Sequence, residues 1–551
     1  MPARAVMVAC RGILMVLFKS SRLVAVATAL TLALAAAACR AEAPGLPPSA
    51  APPTPAAFDT IAARMDPYTD KTRVIVATDI ANEPDDQMSM VRFLVYANEF
   101  DIEGLVAGTS TWMRNAVRPD VINHVIDAYE QVYPTLSTHA PGFPTAAALR
   151  AVVTTGQPSY GMAAVGTEKM SPGAELMIKA ADKADPRPLW VLAWGGNNTL
   201  AQALLHVRET RPPDQLAAFV AKLRVYTISD QDDAGPWIRR EFPLLHYIAI
   251  PSTPDGDQYA QATWTGISGD RFYRNADGAD FSTFTDEWVT KNIRDKGPLG
   301  KVYIFPCCIH EGDTPSFLGL INNGLASAVS PVYGGWGGRY VWRQYYGESH
   351  PSWTQGGDSY PGKDSSRDTV IGIDGKPHTS DQATVWRWRT AFQHDFAARM
   401  DWTIKDKAHA NHNPMVVVNG QAGKAPVMMT WHTGTPLTLD ATGTSDPDGQ
   451  SLKYTWFFYP EAGSGIPKMP VFAGPPVPIG GGGNRDEGGI PSAAPGGAPR
   501  PPDRIVVRDE HSQKAIVIAR TPGISHVILA VEDNGTPSLT SYRRIVLTID
   551  K

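Results

Sequence analysis

The sequence predicts an α/β protein, in which helices flank a mostly parallel sheet, followed by an all-β sandwich. Short apolar runs alternate with helical patterns from residue 73 to about residue 402, as in strands joined by helical crossovers. Beyond Asn413-Pro414, short alternating strands follow closely and are separated by turns such as 446–449 (DPDG). The length of 551 residues exceeds a single ordinary core, so two or three domains are expected.

In the first region, strands are expected where β-branched and other apolar residues form short runs. They are predicted at residues 74–77, 102–108, 189–193, 223–228, 246–250 and 302–305. Helices are expected where apolar side chains recur every three or four positions. They are predicted at residues 86–97, 115–132, 198–208, 315–322 and 385–400.

The C-terminal region has the alternation and turn spacing of an immunoglobulin-like sandwich. Its strands are predicted at residues 415–418, 427–431, 437–440, 453–458, 516–519, 526–531 and 542–549. Residues 474–503 form a Gly/Pro-rich run that cannot build a core, so a disordered loop is expected there. These patterns predict an α/β domain at residues 70–412 and a sandwich domain at residues 413–551.

The N-terminus has the features of an export signal, which we expect to occupy residues 1–39. Four basic residues precede an uncharged apolar run at residues 23–38 that is too short for a comfortable membrane span. Cys39 after four alanines is typical of a lipoprotein processing site, and cleavage by ordinary signal peptidase is the alternative. The expected location is the periplasm, the outer membrane or the exterior of a bacterium, with membrane attachment only through a lipid at Cys39.

Residues 40–69 are rich in alanine and proline and are expected to form a tether. The net charge of −5 and the pI near 6.2 give no electrostatic footprint for nucleic acid. Within the predicted folded part, the cysteines are the adjacent pair Cys307 and Cys308. The pair forms either a strained vicinal disulfide or, as we expect, two buried thiols.

Residues 78–87 (TDIANEPDDQ) are the most informative part of the chain. They follow a predicted strand and precede a helical pattern, so they form a strand-to-helix turn. Four carboxylates crowd this turn: Asp79, Glu83, Asp85 and Asp86. Carboxylates packed together repel, which indicates a hard-cation site or a helix N-terminus that favours negative charge. A solvated N-cap with an acidic first turn is the alternative.

Further motifs follow this turn at residues 103–107 (EGLVA), 228–233 (ISDQDD), 235–241 (GPWIRRE), 311–317 (EGDTPSF) and 386–389 (WRWR). Together they resemble the nucleoside hydrolase superfamily and, more closely, the nucleoside hydrolase-like domain of a group of cellulose-binding proteins. The tail resembles the C-terminal domain of that group at 459–463 (YPEAG) and 532–537 (EDNGTP). The resemblance extends over about residues 70–551 and implies the same two folds.

The resemblance implies a Ca²⁺ site that positions sugar hydroxyls and activates a water for attack at an anomeric carbon. Asp79 matches the aspartate that binds calcium and acts as general base. Asp86 and Asp313 match further calcium ligands, and the carbonyl oxygen of Trp194 matches the remaining protein ligand. Asp85 matches the residue that contacts the sugar. Calcium takes six to eight oxygen ligands, which leaves positions for water and two hydroxyls.

Two departures from the family pattern distinguish this chain. Asp79 and Asp85 are six positions apart, two more than is usual in the family, and the longer turn brings Glu83 into the expected substrate site. Gly312 precedes Asp313 at the position where many members carry a histidine that assists the leaving group. These changes affect the expected substrate and leaving-group acid more than the metal.

Three other residues have two interpretations each. Asp232 follows a predicted strand and is expected to contact the substrate at the same sheet edge as Asp79, whereas a surface turn is the alternative. Trp336, in a Gly- and aromatic-rich segment, is either a substrate-stacking residue or part of a loop fixed by buried aromatics. His310 is the nearest candidate acid to Asp313, but a structural role is favoured.

Two functions follow from these features. The first is an exported, calcium-dependent hydrolase that acts on a glycosidic or N-glycosidic bond of a carbohydrate or nucleoside-like substrate. The alternative is a non-catalytic protein that binds cellulose or another plant cell-wall polysaccharide on the same scaffold. The four retained aspartates favour the hydrolase, and the longer turn and missing histidine favour the binding protein.

Overall fold

In a computed structural model of the chain, an eight-stranded sheet forms the centre of the first region. The structure describes residues 53–166, 169–250, 262–268, 278–305, 310–344, 347–354, 366–463 and 504–551. The sheet strands are β1 (Thr72–Thr78), β2 (Phe100–Ala107), β3 (Val153–Thr155), β4 (Leu189–Ala193), β5 (Leu223–Thr227), β6 (His246–Ile248), β7 (Val341–Arg343) and β8 (Ser352–Thr354). They lie in the order β3-β2-β1-β4-β5-β6-β8-β7.

The order of the strands reverses at β1, and this reversal determines where a ligand can bind. All neighbouring strands are parallel except β7 and β8. The chain runs outward from β1 through β2 to β3, then crosses back to β4 on the other side of β1. Open parallel sheets bind ligands outside the carboxyl ends of their strands at such a switch point. Here the switch point lies between the loops that follow β1 and β4.

Helices cover both faces of the sheet, as its parallel strands require. They are α1 (Pro55–Ala62), α2 (Pro84–Val95), α3 (Pro119–Leu136), α4 (Ala146–Arg150), α5 (Pro172–Ala181), α6 (Asn198–Thr210), α7 (Pro213–Lys222), α8 (Ala234–Glu241), α9 (Asp286–Val289), α10 (Gly297–Lys301), α11 (Pro315–Leu318), α12 (Ala383–Trp386) and α13 (Arg389–Asp401). Two separate cores form, one containing α2, α3 and α13, the other containing α5, α6 and α8. Among the described residues, no helix combines the length and apolarity needed to cross a membrane.

The predicted α/β fold class is confirmed, but several predicted elements are placed differently. Residues 302–305 are not a strand; they follow α10, and Tyr303 N–H bonds to Gly300 O at 3.1 Å in a turn. An apolar run identifies burial and not backbone conformation, which explains this error. The helix predicted at 115–132 begins at Pro119, because the residue before a proline avoids the helical conformation. The helix predicted at 385–400 is divided between α12 and α13.

The described part of the C-terminal region forms a β-sandwich. Its strands are β13 (Val427–His432), β14 (Pro436–Asp440), β15 (Leu452–Phe458), β16 (Ile505–Arg508), β17 (Lys514–Ala519), β18 (Gly523–Asp533) and β19 (Thr540–Asp550). One sheet has the order β13-β19-β18-β15 and the other β14-β17-β16. Alternate residues point inward and enclose a core around Trp456. Two short hairpins complete the described strands: β9 (Asp368–Ile371) with β10 (Pro377–Ser380) in the α/β region, and β11 (Val417–Val418) with β12 (Gln421–Ala422) at the start of the C-terminal region.

A buried polar network joins the sandwich to the α/β region, and both belong to one compact unit from Pro53 to Lys551. Asp368, which is fully buried, accepts from Arg339 Nε at 2.9 Å, Arg387 Nη1 at 2.8 Å and the Tyr459 hydroxyl at 2.7 Å. Burial acts to raise the pKa of Asp368, but the two arginines outweigh it and the pKa lies below its usual value. The charged carboxylate therefore fixes Tyr459, at the end of β15, against the α/β region.

Backbone pairing strengthens this junction. Tyr542 N–H donates to Asn323 O at 3.0 Å and Arg544 N–H donates to Gly324 O at 3.1 Å. A Cβ at Gly324, whose φ is 93°, would lie 1.8 Å from Tyr542 O, so only glycine permits this approach. The core of the sheet also includes Tyr459 and Tyr542 from the sandwich side.

The predicted export signal with Cys39, the pair Cys307 and Cys308, and the Gly/Pro loop 474–503 all lie outside the described residues. So do residues 40–52 of the predicted tether, whereas residues 53–69 are described and contain α1 and the segment leading to β1. These interpretations stay predictions.

Replacing Tyr459 with phenylalanine should lower the free energy of unfolding by about 1.5–3 kcal/mol, because a hydrogen bond to a buried charged group is lost. Guanidinium denaturation followed by circular dichroism measures this change. The matched control is Tyr454→Phe on the same strand, at a partly exposed position, where a loss below about 0.5 kcal/mol is expected. Equal losses for the two variants would contradict a specific role for Tyr459.

Candidate functional site

Four buried aspartates meet beyond the carboxyl end of β1. Oxygens of Asp85, Asp86 and Asp313 lie within 4.8 Å of one another. Asp79 directly follows β1, is 2% exposed and hydrogen-bonds to Asp86. A side chain at Gly195, in the loop after β4, would place its Cβ 2.8 Å from Asp79 Oδ1. These four residues, called the acidic cluster below, therefore occupy the switch point of the sheet.

The turn after β1 aims its carboxylates inward through a constrained backbone. Ala81 has a φ of 85°, a left-handed conformation that costs a non-glycine residue about 1–2 kcal/mol. Glu83 is extended and Pro84 takes the first helical position of α2, for which its fixed φ is suited. Asp85 and Asp86 consequently lie in the first turn of α2, where the helix N-terminus favours negative charge.

A fully buried ion pair holds Asp313 beside α2. Arg92 Nε, on α2, lies 2.7 Å from Glu311 Oε2, and neither side chain is exposed. Arg92 also packs over the Phe396 ring at 4.0 Å, and the Tyr303 hydroxyl donates to Glu311 Oε1. Glu311 is two residues from Asp313 in the sequence and has a φ of 60°, so both acidic loops contain a strained non-glycine residue.

Two further contacts tie the same loop to its surroundings. Thr314 Oγ1 donates to Ser89 Oγ on α2 at 3.0 Å. The Trp194 indole N–H donates to Ser316 Oγ at 2.8 Å, and that hydroxyl donates to the Asp313 carbonyl oxygen at 2.6 Å. Asp313 is therefore connected to both α2 and the loop after β4.

The acidic cluster is electrostatically unfavourable on its own. Burial raises the pKa of Asp79 to about 6, and burial followed by the charge of Asp79 raises the pKa of Glu83 to about 7. Burial and mutual repulsion raise the pKa of Asp85, Asp86 and Asp313 well above the usual value. The charged groups that shift these last three are all carboxylates. The cluster therefore needs either protons or a cation.

The unpaired oxygens of the cluster fit a hard cation. Asp85 Oδ1 and Asp313 Oδ2 are buried and have no hydrogen-bond partner among the described residues. Leaving such acceptors unpaired costs about 1–3 kcal/mol or more, whereas Ca²⁺ binds several carboxylate oxygens at once. Asp86 also accepts from the Thr78 hydroxyl, an outer contact of the kind that orients a metal ligand. The residues present fit the expected Ca²⁺.

The structure brings Asp79, Asp85, Asp86 and Asp313 together, and it adds Asp85 to the group of oxygens suited to the ion. Glu83 is partly buried at the edge of the cluster, with Asp79 as its charged neighbour. The Trp194 carbonyl oxygen accepts from Gln231 Nε2 at 2.6 Å, which leaves one lone pair for another partner.

The other two predicted residues have structural partners. Asp232 is 4% exposed, and its oxygens accept from the N–H groups of Asn198 at 2.9 Å and Ala234 at 3.0 Å, at the starts of α6 and α8. Trp336 is 1% exposed and packs on Phe392 and Tyr542. A fully buried ring offers no face to a ligand, so the expectation that Trp336 stacks on substrate is corrected to its alternative, a loop fixed by buried aromatics.

Sequence reasoning missed the residues that support the cluster. Ser110, at the carboxyl end of β2, hydrogen-bonds to Asp79, and its place after a neighbouring parallel strand was an available signal. Thr78 was visible as the last residue of β1. Arg92 and Glu311 are 219 positions apart, and no sequence pattern pairs them.

The sheet order, the acidic cluster at its switch point and the attached sandwich together define a nucleoside hydrolase-like α/β protein with a C-terminal all-β domain. A family model described as "Cellulose-binding Sde182, nucleoside hydrolase-like domain" matches residues 73–340. A second, described as "Cellulose-binding protein Sde0182, C-terminal domain", matches residues 436–549. The chain belongs to this Sde182 family of nucleoside hydrolase-like proteins, which confirms the resemblance drawn from the motifs.

A solved structure supports the assignment. A nucleoside hydrolase-related hypothetical protein from Saccharophagus degradans, described as associated with carbohydrate metabolism, is 34% identical, with a TM-score of 0.67. The alignment covers 87% of this chain and 100% of that one. No protein of curated function matches this chain.

Two other solved structures are much more remote. The PKD domain from KIAA 1837 protein has 15% identity, coverage of 23% of this chain and 84% of that one, and a TM-score of 0.13. The effector protein XOO4466 has 11% identity, coverage of 64% of this chain and 98% of that one, and a TM-score of 0.28. These TM-scores are too low to support a shared fold.

Arg92→Met should lower the free energy of unfolding by about 3–5 kcal/mol, because Glu311 would remain buried without its partner. Chemical denaturation measures the loss. The double variant Arg92→Met, Glu311→Gln removes both charges and should recover at least about half of it. No recovery would contradict an unpaired charge as the cause.

Calcium should raise the melting temperature, and the increase should grow from pH 5 to pH 8. The folded-state pKa values exceed the unfolded value near 4, so the stability from protonation is present at low pH. It is lost as the pH rises through about 6 for Asp79 and about 7 for Glu83. A calcium ion would offset the charges that then appear. Differential scanning fluorimetry with calcium or with a chelator measures the difference.

Asp313→Asn tests the same interpretation. It removes one of the mutually repelling charges, so the chelator-treated variant should melt above the chelator-treated wild type at pH 8. The same variant should bind calcium at least about 10-fold more weakly by calorimetry, because a carboxylate ligand is lost. The exposed Asp214→Asn serves as control and should change neither quantity. Unchanged calcium affinity in Asp313→Asn would exclude this residue as a ligand.

Proposed function

We propose that this chain is an exported, calcium-dependent hydrolase-like protein that acts on a glycosidic or N-glycosidic bond of a carbohydrate-containing substrate. The observation that carries the proposal is the acidic cluster at the switch point, with buried oxygens of Asp85 and Asp313 that lack a partner among the described residues. A protein gains no stability from such an arrangement, so its retention favours a ligand-binding role.

The proposed roles follow from the positions of the carboxylates. Asp79, Asp86, Asp313 and the Trp194 carbonyl oxygen would hold the ion, with Asp85 beside them. When bound, calcium orients sugar hydroxyls and increases the acidity of a bound water. Asp79 is suited to accept a proton from the attacking water, because it would hold the ion beside that water. Asp85 presents an oxygen to a sugar hydroxyl.

The substrate class rests on the relatives. The matching family models are described as cellulose-binding, and the Saccharophagus degradans relative is described as associated with carbohydrate metabolism. Cellulose or another plant cell-wall polysaccharide is therefore the proposed partner. The proposed export, through residues 1–39, would place the protein where such polymers occur.

A second candidate is a polysaccharide-binding protein without turnover. His310, the nearest imidazole to Asp313 in the sequence, bonds through Nε2 to the Tyr303 hydroxyl at 2.7 Å. Burial, followed by the charge of Arg92, lowers the pKa of His310 to about 3. At neutral pH this histidine is therefore a neutral imidazole, which is a poor acid for a leaving group, and Gly312 supplies no acid. The absence of an acid among these residues favours binding without catalysis.

The two candidates are separated by assaying calcium-loaded protein with nucleosides and with cello- and xylo-oligosaccharides. If the protein is a hydrolase, products should form, and Asp79→Asn should lower the rate at least about 10³-fold while retention on cellulose persists. A rate decrease of this size is expected because the substitution removes both a general base and a metal ligand. The exposed Asp214→Asn should keep full activity. No product from any substrate, with retention on cellulose unchanged, would exclude the hydrolase and leave the binding protein.

A further inference from the structure

One tryptophan is exposed among the fourteen of the chain, all of which lie in the described residues. Trp112 is 57% exposed, whereas every other tryptophan is buried or partly buried. An exposed indole contributes little to a core, so its place in the fold is informative.

Trp112 lies in the loop after β2, next to the acidic cluster. The Ser110 hydroxyl accepts from the N–H groups of Trp112 at 3.0 Å and Met113 at 3.1 Å, and it also hydrogen-bonds to Asp79. Thr111 N–H donates to Gln231 O in the loop after β5 at 2.6 Å. Backbone contacts thus hold the indole at the same sheet edge as Asp79.

Polar and aromatic groups accompany Trp112. The Arg114 guanidinium lies 4.5 Å from the centre of the Tyr160 ring, in the loop after β3. Arg114 also donates to Thr111 O at 3.0 Å and to Thr111 Oγ1 at 3.1 Å, and Tyr160 hydrogen-bonds to Thr111. The loop is therefore ordered by its own contacts, and no packing over the Trp112 ring is needed to hold it.

We propose that Trp112 is a stacking platform for a pyranose ring of the substrate, with Arg114 and Tyr160 beside it as hydrogen-bonding groups. A pyranose with equatorial hydroxyls, as in β-linked glucans, has a flat C–H face that fits an indole and a polar rim that fits a guanidinium and a phenol. The loop that carries the platform contacts Asp79 through Ser110, so it would position the sugar chain at the same sheet edge as the acidic cluster. The proposal deepens the proposed function and rests on its carbohydrate ligand.

Calorimetric titration with cellohexaose, on calcium-loaded full-length protein, tests the platform. Trp112→Ala should weaken binding at least about 10-fold, and Trp112→Phe, which keeps an aromatic face, should stay within about threefold of the wild type. Trp431→Ala, a partly buried tryptophan of the sandwich, is the matched control and should bind as the wild type does. Cellohexaose should also change tryptophan fluorescence in the wild type and in Trp431→Ala, and not in Trp112→Ala.

Calcium affinity separates a platform from a damaged site, since it should be unchanged in both Trp112 variants. Equal cellohexaose affinity for Trp112→Ala and wild type would overturn the platform and leave the carbohydrate function standing. A wild type that binds no cellohexaose would overturn both. Asp79→Asn should lose turnover and still bind cellohexaose. Hydrolysis and sugar binding are therefore measured separately, so the hydrolase can fail while the platform stands.

Discussion

The buried ion pair between Arg92 and Glu311 is the interaction on which the site depends. Aspartates of the acidic cluster repel one another, so no attraction among them can bring the loop with Asp313 to the start of α2. Arg92 supplies that attraction from the last turn of α2, where water is excluded and the pair is fully buried. The cost of desolvating both groups is met by the surrounding contacts to Phe396 and Tyr303.

This arrangement places stability and function in opposition. Strained backbone at Ala81 and Glu311, buried unpaired oxygens and raised carboxyl pKa values all lower the stability of the unliganded fold. Such features concentrate where a protein binds a ligand, because a ligand compensates them. The rest of the sheet is regular, and β1 is buried along its whole length, which gives the strained turn a rigid base.

Much of the architecture could be predicted from the sequence, because it depends on local patterns. The β-branched run of β1, the proline at the start of α2 and the turns of the sandwich are each visible within a few residues. The approach of Asp313 to Asp85 was available only through resemblance to a family. The extent of burial was predicted poorly. Trp336 lies in a segment with the composition of a binding loop, and residues 302–305 have the composition of a strand. Tertiary packing determines the actual structure in both cases. Trp112 shows the converse, since only the fold reveals which tryptophan is exposed.

The junction around Asp368 has a consequence for how the protein meets a polymer. Tyr459, Tyr542 and Arg544 are held in the α/β region by buried hydrogen bonds. The sandwich is therefore not a domain joined by a flexible linker. Any polymer contact made by the sandwich would stand at a fixed spacing and angle from the acidic cluster. Avidity in such a rigid body depends on whether the repeat of the polymer matches that spacing, and linker length has no part in it.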